Sequence, residues 1–288
     1  MAETTSTTGS IPLVAPSPTN FSSIPVLDYS LLSSPATRPT FIAQLQHALI
    51  NVGFLYLSNH TVPASTIDTL ISYIPRLFAL PQEEKERVRM VHSPHFLGYS
   101  RFGAELTKGK VDQREQFDFG TPHETRWAEG TPEYWRVWGP AQVCADFFSP
   151  FLKPDSLNSA CLQWPKESAI PGFHDAFELY QSQVADLARQ FSSPLAEALG
   201  LAPDALDKFY DTKRNTQNRS KIIQYPVVTD PHADNQGVGP HYDSGFLTFV
   251  RLPFTSLSMK PRINKPISSS SKLPPTAVFK HKTSPANG

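Results

Sequence analysis

The chain has 288 residues, a formal net charge of +0 and 39% hydrophobic residues, which indicates a soluble globular protein with one large domain or two small ones. The balanced charge gives no reason to expect nucleic acid or an anionic membrane surface as a partner, and no run approaches the ~18 apolar residues of a membrane span. Two cysteines, Cys144 and Cys161, are too few for a disulfide scaffold, so we expect both to be reduced. Because the N-terminus lacks a signal-peptide pattern, the predicted location is the cytosol.

The first part of the chain is predicted to be mainly helical. Residues 1–22 are rich in Thr, Ser and Pro and indicate a disordered lead, after which the short apolar run Ile24–Asp28 opens the folded part. Apolar residues then recur at helical spacing, with an aromatic, strand-like run between them. In chain order, the predicted elements are a helix over about 38–51, a strand over Gly53–Leu57, a helix over Ile67–Phe78 and a third helix that follows Pro81.

In the second part of the chain, strands are predicted around one long helix. The helical pattern begins near Gly172, and we expect it to end or kink near Ser192–Ser193, because Pro194 cannot donate its amide. Residues 251–288 are rich in Pro, Ser and Lys and show no periodicity, so we expect a disordered tail that packs on nothing. The predicted strands are Phe117–Phe119, Lys221–Tyr225 and Gly245–Val250.

The segment Gly237–Val250 carries the clearest chemical signal, because it places His241 and Asp243 two residues apart before an apolar, β-prone run. Side chains at i and i+2 of an extended segment point the same way, so both can bind one face of a metal ion. An imidazole and a carboxylate are two-thirds of the 2-His-1-carboxylate triad of non-haem Fe(II) oxygenases. The alternative is a hydrogen-bonded loop histidine and a capping aspartate. His232 and Asp234 share the spacing, but they lie in a polar turn without a strand to orient them, which predicts a solvated turn.

Other segments carry short motifs in a fixed order. They are Ile24–Asp28, Gly53–His60 followed by Val62-Pro63, Phe78–Pro81 followed by Glu83, Glu84 and Lys85, Gly98-Tyr99, Gly103–Glu105, Arg114–Phe119, Tyr225-Pro226 and His241–Thr248. Together they resemble the isopenicillin N synthase-like family of Fe(II)/2-oxoglutarate-dependent dioxygenases over about residues 24–250. The resemblance implies an α+β fold, with a helical N-terminal region and a double-stranded β-helix, or jelly-roll, core.

The resemblance also implies the reaction and its ligands. His241 and Asp243 would bind Fe(II), and the hydroxyl of Tyr225 would help to hold 2-oxoglutarate. With O2 as the oxidant and ascorbate helping to keep the iron reduced, a small organic molecule would be hydroxylated or desaturated, with release of succinate and CO2. Aromatic residues near the metal segment are candidates for the substrate pocket, and plain core packing is the alternative for each of them. These candidates are Phe117, Phe119 and Phe246.

The chain departs from the family pattern after Asp243. The family continues with a distal His and an R-x-S pair whose guanidinium binds the far carboxylate of 2-oxoglutarate, whereas Arg251 and Arg262 are not followed by x-Ser. The only later histidine, His281, lies in Lys-His-Lys, and we do not expect it to be the third ligand. The alternative interpretation is therefore a truncated, catalytically defective member or a non-catalytic binding protein, with little or no turnover.

These inferences predict an α+β fold with an incomplete jelly-roll core and a disordered C-terminal tail. The predicted parts are a lead over 1–22, an N-terminal dioxygenase region over 23–140, the long helix and first part of the jelly-roll domain over 141–250, and a tail outside the family pattern over 251–288.

Overall fold

The computed structural model describes residues 23–93, 95–121, 128–137, 164–210, 216–226, 236–241 and 246–251, together with the backbone of 276–283. The chain divides into two compact units. The first comprises Met1–His60 and Pro194–Pro203, and the second comprises Thr61–Ser193 and Asp204–Gly288. The helices found within the described ranges are all too short or too polar to cross a membrane. The predicted lead over 1–22 lies outside the described residues.

The first unit contains a parallel pair of short strands joined by a helix. Strand β1 (Val26–Asp28) pairs with β2 (Tyr56–Ser58), and α1 (Arg38–Asn51) connects them, which confirms the helix predicted over about 38–51. Residues at spacings of three and four form the buried face of α1, as the periodicity predicted. These residues are Phe41, Leu45 and Ala48.

Three helices contribute to the second unit. Helix α2 (Ala64–Phe78) and helix α3 (Gln82–Arg87) confirm the two helices predicted in this region. Helix α4 (Phe173–Ala198) continues through Pro194, so of the two predicted outcomes near Ser192–Ser193, an end or a kink, the end is wrong. Buried residues on both sides of the proline, among them Phe191 and Leu195, explain the continuation, because their burial offsets the one hydrogen bond that proline removes.

An antiparallel sheet of five strands forms the centre of the second unit within the described residues. Its strand order is β3-β6-β7-β9-β8. A separate two-stranded hairpin turns at Lys108 and Gly109, which both have positive φ, as a type I′ turn requires. The strands are β3 (Gly98–Ser100), β4 (Leu106–Thr107), β5 (Lys110–Val111), β6 (Glu115–Gly120), β7 (Asn218–Tyr225), β8 (Leu247–Arg251) and β9 (Thr276–Thr283).

Strand β9 corrects the prediction that residues 251–288 pack on nothing. Residues Thr276–Thr283 pair with β7 on one side and with β8 on the other. The lysines of the Phe-Lys-His-Lys stretch concealed a run whose other residues are mostly β-branched or aromatic. Pairing on two sides also satisfies backbone groups that an edge strand would leave open. Apart from Arg251, which ends β8, the rest of the predicted tail lies outside the described residues.

Part of the predicted N-terminal dioxygenase region over 23–140 lies in the same compact unit as the sheet. Residues 61–140 belong to that unit, because β3 and β6 pair with each other and β6 pairs with β7. Long-range strand pairing of this kind leaves no local mark in the composition, so the sequence could not reveal it.

Candidate functional site

Of the predicted metal ligands, His241 is the residue that the structure describes. It ends the segment 236–241 and is exposed, and its Nδ1 lies 2.8 Å from the carbonyl oxygen of Gly239. A carbonyl oxygen can only accept, so Nδ1 carries the proton and the ring lone pair is on Nε2. This is the tautomer that a histidine needs to bind a metal through Nε2. The residues Asp243, His232 and Asp234 lie outside the described residues, and their roles stay predictions.

One oxygen of Asp112 contacts the segment that carries His241. Asp112 is wholly buried, and its Oδ1 accepts a hydrogen bond from Gln236 Nε2 at 3.1 Å and another from the Gly239 backbone N–H at 3.3 Å. The Gln113 backbone N–H also donates to the Gln236 carbonyl oxygen at 2.9 Å. Side-chain and backbone hydrogen bonds therefore join residues 112–113 to residues 236–239.

The second oxygen of Asp112 contacts residues on the other side of the carboxylate. Its Oδ2 accepts a hydrogen bond from the Thr107 hydroxyl at 2.8 Å and lies 3.2 Å from a terminal nitrogen of Arg114. Thr107 also packs against Gly239: a Cβ on that glycine would lie 2.7 Å from Thr107 Cγ2. The close approach of the two segments thus requires glycine at position 239.

A line of hydrogen-bonded polar side chains continues from Arg114 along one face of the sheet. Arg114 donates to Glu105 at 2.6 Å, and Gln116 donates to both Glu105 and Asp118 at 2.8 Å. Asp118 pairs with Lys221 at 2.9 Å, its direct neighbour across the β6–β7 pairing. Burial raises the pKa of Asp118, and the Lys221 ammonium opposes that shift.

Tyr225, the predicted 2-oxoglutarate contact, is half-buried at the end of β7. Its hydroxyl lies close enough to the Arg114 guanidinium for the two groups to interact electrostatically. Its ring also lies against Gly237, since a Cβ on that glycine would be 3.0 Å from two of the ring carbons. The structure therefore brings Tyr225 and the segment that leads to His241 into contact.

Phe117 and Phe119, two of the predicted pocket residues, lie in the hydrophobic core. Both are fully buried, with 0% of their surface exposed, and both lie in a cluster of aromatic rings. The Phe119 centroid lies 4.3 Å from that of Trp164 and 4.5 Å from that of Phe177. This burial favours the core alternative for both residues. Phe246 differs, because it is 48% exposed directly before β8.

His281, the later histidine that we did not expect to be the third ligand, lies in strand β9. Within β9, His281 pairs with Ser220 on β7 and with Phe249 on β8. Among the residues whose side chains are described, no group of three or more His, Cys, Asp or Glu could hold a metal ion.

Sequence reasoning missed the polar residues that surround Asp112. The signal was present, because polar and aromatic residues alternate in Arg114–Phe119, and alternation places the two sets on opposite faces of a strand. We assigned function to the aromatic set, whereas the polar set contacts Tyr225 and the segment before His241. Asp112 itself stands before the strand, where no periodicity applies.

Comparisons with known proteins point to one family. Residues 24–145 match the family described as "non-haem dioxygenase in morphine synthesis N-terminal". The chain is 37% identical over 233 residues to the "2-oxoglutarate-dependent dioxygenase frbJ" of Dothideomycetidae sp. (strain 11243), which covers 80% of this chain and 56% of that protein. It is 34% identical over 234 residues to a "2-oxoglutarate-dependent dioxygenase" of Gibberella zeae, which covers 80% and 55%. The chain thus spans about half the length of these two curated relatives.

Among solved structures, the chain is similar to full-length T7H of Neurospora crassa in complex with alpha-KG. The TM-score is 0.65 at 17% sequence identity, and the match covers 91% of this chain and 85% of that chain. At this identity the likeness establishes a shared fold alone.

Proposed function

Because the chain belongs to the family of Fe(II)- and 2-oxoglutarate-dependent dioxygenases, we propose that its protein oxidises a small organic molecule. The reaction would consume 2-oxoglutarate and O2, would hydroxylate or desaturate the substrate, and would release succinate and CO2. The observation that carries the proposal for this chain is the hydrogen bond from His241 Nδ1 to the Gly239 carbonyl oxygen, 2.8 Å long. It fixes the imidazole in the form that metal-binding histidines use.

The residues at this position fit Fe(II). An imidazole nitrogen and a carboxylate oxygen suit this ion, and the facial triad of non-haem iron enzymes uses both. In the proposed site His241 binds through Nε2, and Asp243, two residues further on, supplies the carboxylate. The bound iron would supply activation of O2, coupled to decarboxylation of 2-oxoglutarate.

Tyr225 and Arg114 are proposed to help hold 2-oxoglutarate. The Tyr225 hydroxyl interacts electrostatically with the Arg114 guanidinium, and its O–H can donate a hydrogen bond to a carboxylate. The guanidinium itself lies between Glu105 and Asp112, so its charge is largely compensated. Its proposed role is therefore to orient the Tyr225 hydroxyl and not to bind the cosubstrate as an ion partner.

The substrate is proposed to reach the metal from the side of Phe246, because this aromatic ring is exposed next to β8. The sheet formed by β3, β6, β7, β9 and β8 is proposed to be part of a jelly-roll core. The mixed helix-and-sheet architecture and the likeness to T7H support this assignment.

The test is binding of Fe(II) and 2-oxoglutarate without O2, followed by succinate release in the presence of O2 and ascorbate. His241→Ala should abolish Fe(II) binding, because one of few metal ligands is lost. His232→Ala is the matched control, because it changes a histidine with the same H-x-D spacing in the polar turn, and it should bind Fe(II) as the unmodified chain does. If His232→Ala abolished Fe(II) binding and His241→Ala did not, the proposed site would be wrong.

A further inference from the structure

We propose that Asp112 is a positioning residue for the metal site: its carboxylate fixes the backbone of Gly239, and the Gly239 carbonyl oxygen fixes the tautomer and direction of His241. This inference rests on the proposed role of His241 as a metal ligand. It assigns a task to a residue that lies 129 positions earlier in the chain than His241.

Two hydrogen bonds in series connect the carboxylate to the imidazole. The Gly239 N–H donates to Asp112 Oδ1 at 3.3 Å, and the Gly239 carbonyl oxygen accepts from His241 Nδ1 at 2.8 Å. Both bonds act on one residue, so a change in the backbone angles of Gly239 would break at least one of them. Gln236 donates to the same Oδ1 at 3.1 Å, which holds the segment at a second point.

The carboxylate is itself held in place, so it can act as a fixed anchor. Its Oδ2 binds the Thr107 hydroxyl and lies within ion-pair distance of Arg114. A wholly buried carboxylate needs compensating donors on both oxygens, because leaving one without them carries a large desolvation cost. Movement of Gly239 away from Oδ1 would leave that oxygen with one of its two donors, Gln236, which favours the arrangement seen here. Contact with Thr107 limits movement of Gly239 in the opposite direction.

A purely structural role for Asp112 would make a different prediction, and Asp118 provides the comparison. Asp118 is also a buried aspartate, only 3% exposed, but its partners Gln116 and Lys221 belong to β6 and β7. Loss of either carboxylate should lower stability. Only the loss of Asp112 should change the state of His241.

The experiment measures the His241 tautomer and the metal affinity separately. The tautomer is measured by NMR, from long-range proton–nitrogen correlations in the metal-free chain with 15N-labelled histidine. His174 on α4 serves as the internal control. The affinity for Mn(II), used in place of Fe(II), is measured by electron paramagnetic resonance. The variants are Asp112→Ala, Gln236→Ala, Asp118→Asn and His241→Ala.

We expect Asp112→Ala to weaken Mn(II) binding by about 10-fold, the lower end of the effect seen when a partner of a metal ligand is removed. The His241 signals should change from a single Nδ1-protonated form to an average of two tautomers. Gln236→Ala should shift both measurements in the same direction by a smaller amount, and Asp118→Asn should shift neither.

A folded Asp112→Ala chain with unchanged His241 signals and unchanged Mn(II) affinity would overturn the inference. If Asp112→Ala does not fold, Gln236→Ala is the deciding variant. The inference would then be overturned if the His241 signals of Gln236→Ala did not change. His241→Ala tests the proposed function independently. If that variant still binds Mn(II), the proposed metal site fails, whereas the tautomer measurement continues to test the role of Asp112.

Discussion

Replacement of Lys85 by Met should destabilise the second unit strongly. Lys85 Nζ lies 3.3 Å from Glu115 Oε2 and donates to the Phe78 carbonyl oxygen at 3.2 Å. The Tyr99 hydroxyl donates to the same Glu115 oxygen at 2.7 Å. The side chains of the ion pair are only 9% and 14% exposed, so Lys85→Met would leave a buried carboxylate without its cation.

The expected cost follows from that burial. Removal of one partner from a buried ion pair costs about 3–5 kcal/mol, and the residual exposure of both side chains places Lys85→Met near 3 kcal/mol, about the lower end. The double variant Lys85→Met, Glu115→Gln removes both charges, and we therefore expect it to be more stable than Lys85→Met alone. Tyr99→Phe should cost about 1.5–3 kcal/mol, the range for a hydrogen bond to a charged group.

Urea unfolding at neutral pH, followed by circular dichroism, measures these differences. The control is Arg189→Met, which breaks a surface pair with Asp186 whose side chains are 58% and 56% exposed, and it should change stability by at most about 0.5 kcal/mol. If Lys85→Met were as mild as this control, or if the double variant were the least stable of the set, the reasoning about the buried pair would be refuted.

Three further variants test other features of the fold. Gly98→Ala should lower the stability of the fold by more than about 3 kcal/mol, because Gly98 has φ of +115° and a Cβ there would lie 2.2 Å from the Val88 carbonyl oxygen. A melting temperature like that of the unmodified chain would contradict this expectation. Burial raises the pKa of Tyr180 to about 12 from 10.0, so the folded state keeps its proton where the unfolded state loses it. The free energy of unfolding should therefore fall by up to about 2–3 kcal/mol as the pH rises from 10 to 12. In Tyr180→Phe the free energy of unfolding, measured across the same pH range, should fall correspondingly less. Gly237→Ala should displace the Tyr225 ring, since the new Cβ would lie 3.0 Å from two ring carbons. We expect this variant to bind 2-oxoglutarate roughly fivefold more weakly, a difference of about 1 kcal/mol. Its affinity for the metal, measured by titration, should stay unchanged.

The helices were predictable from sequence because their periodicity is local. The apolar spacing in α1 and α2 places the buried residues on one face, and the structure buries that face. The Phe-x-Leu-Pro motif, the lysine after it and the Arg-Glu-Gln-Phe motif were visible as separate segments. Their convergence on the Lys85–Glu115 pair was not visible, because it depends on contacts between residues 30 positions apart.

The errors in prediction concern features for which the local pattern is ambiguous. Strand β9 contains three charged or titratable residues within a short run, and such a run becomes a strand only when β7 and β8 supply partners on both sides. Similarly, the alternation in Arg114–Phe119 predicts two faces but does not say which face meets the helices. The aromatic rings of α4 settle that question, since Phe173 and Phe177 pack on Phe119.

The side chains of strand β6 alternate between two faces, and each face makes a different set of contacts. Glu115, Phe117 and Phe119 contact Lys85 and the aromatic rings of the second unit, whereas Gln116 and Asp118 belong to the polar line that begins at Asp112. A shift of one residue in the pairing of β6 would exchange the two faces. It would bury charges against the aromatic cluster and would separate Arg114 from Tyr225, so core packing opposes any such shift. The same packing that stabilises the unit therefore fixes the position of Asp112, and through Gly239 it fixes the direction of the histidine that we propose binds the metal.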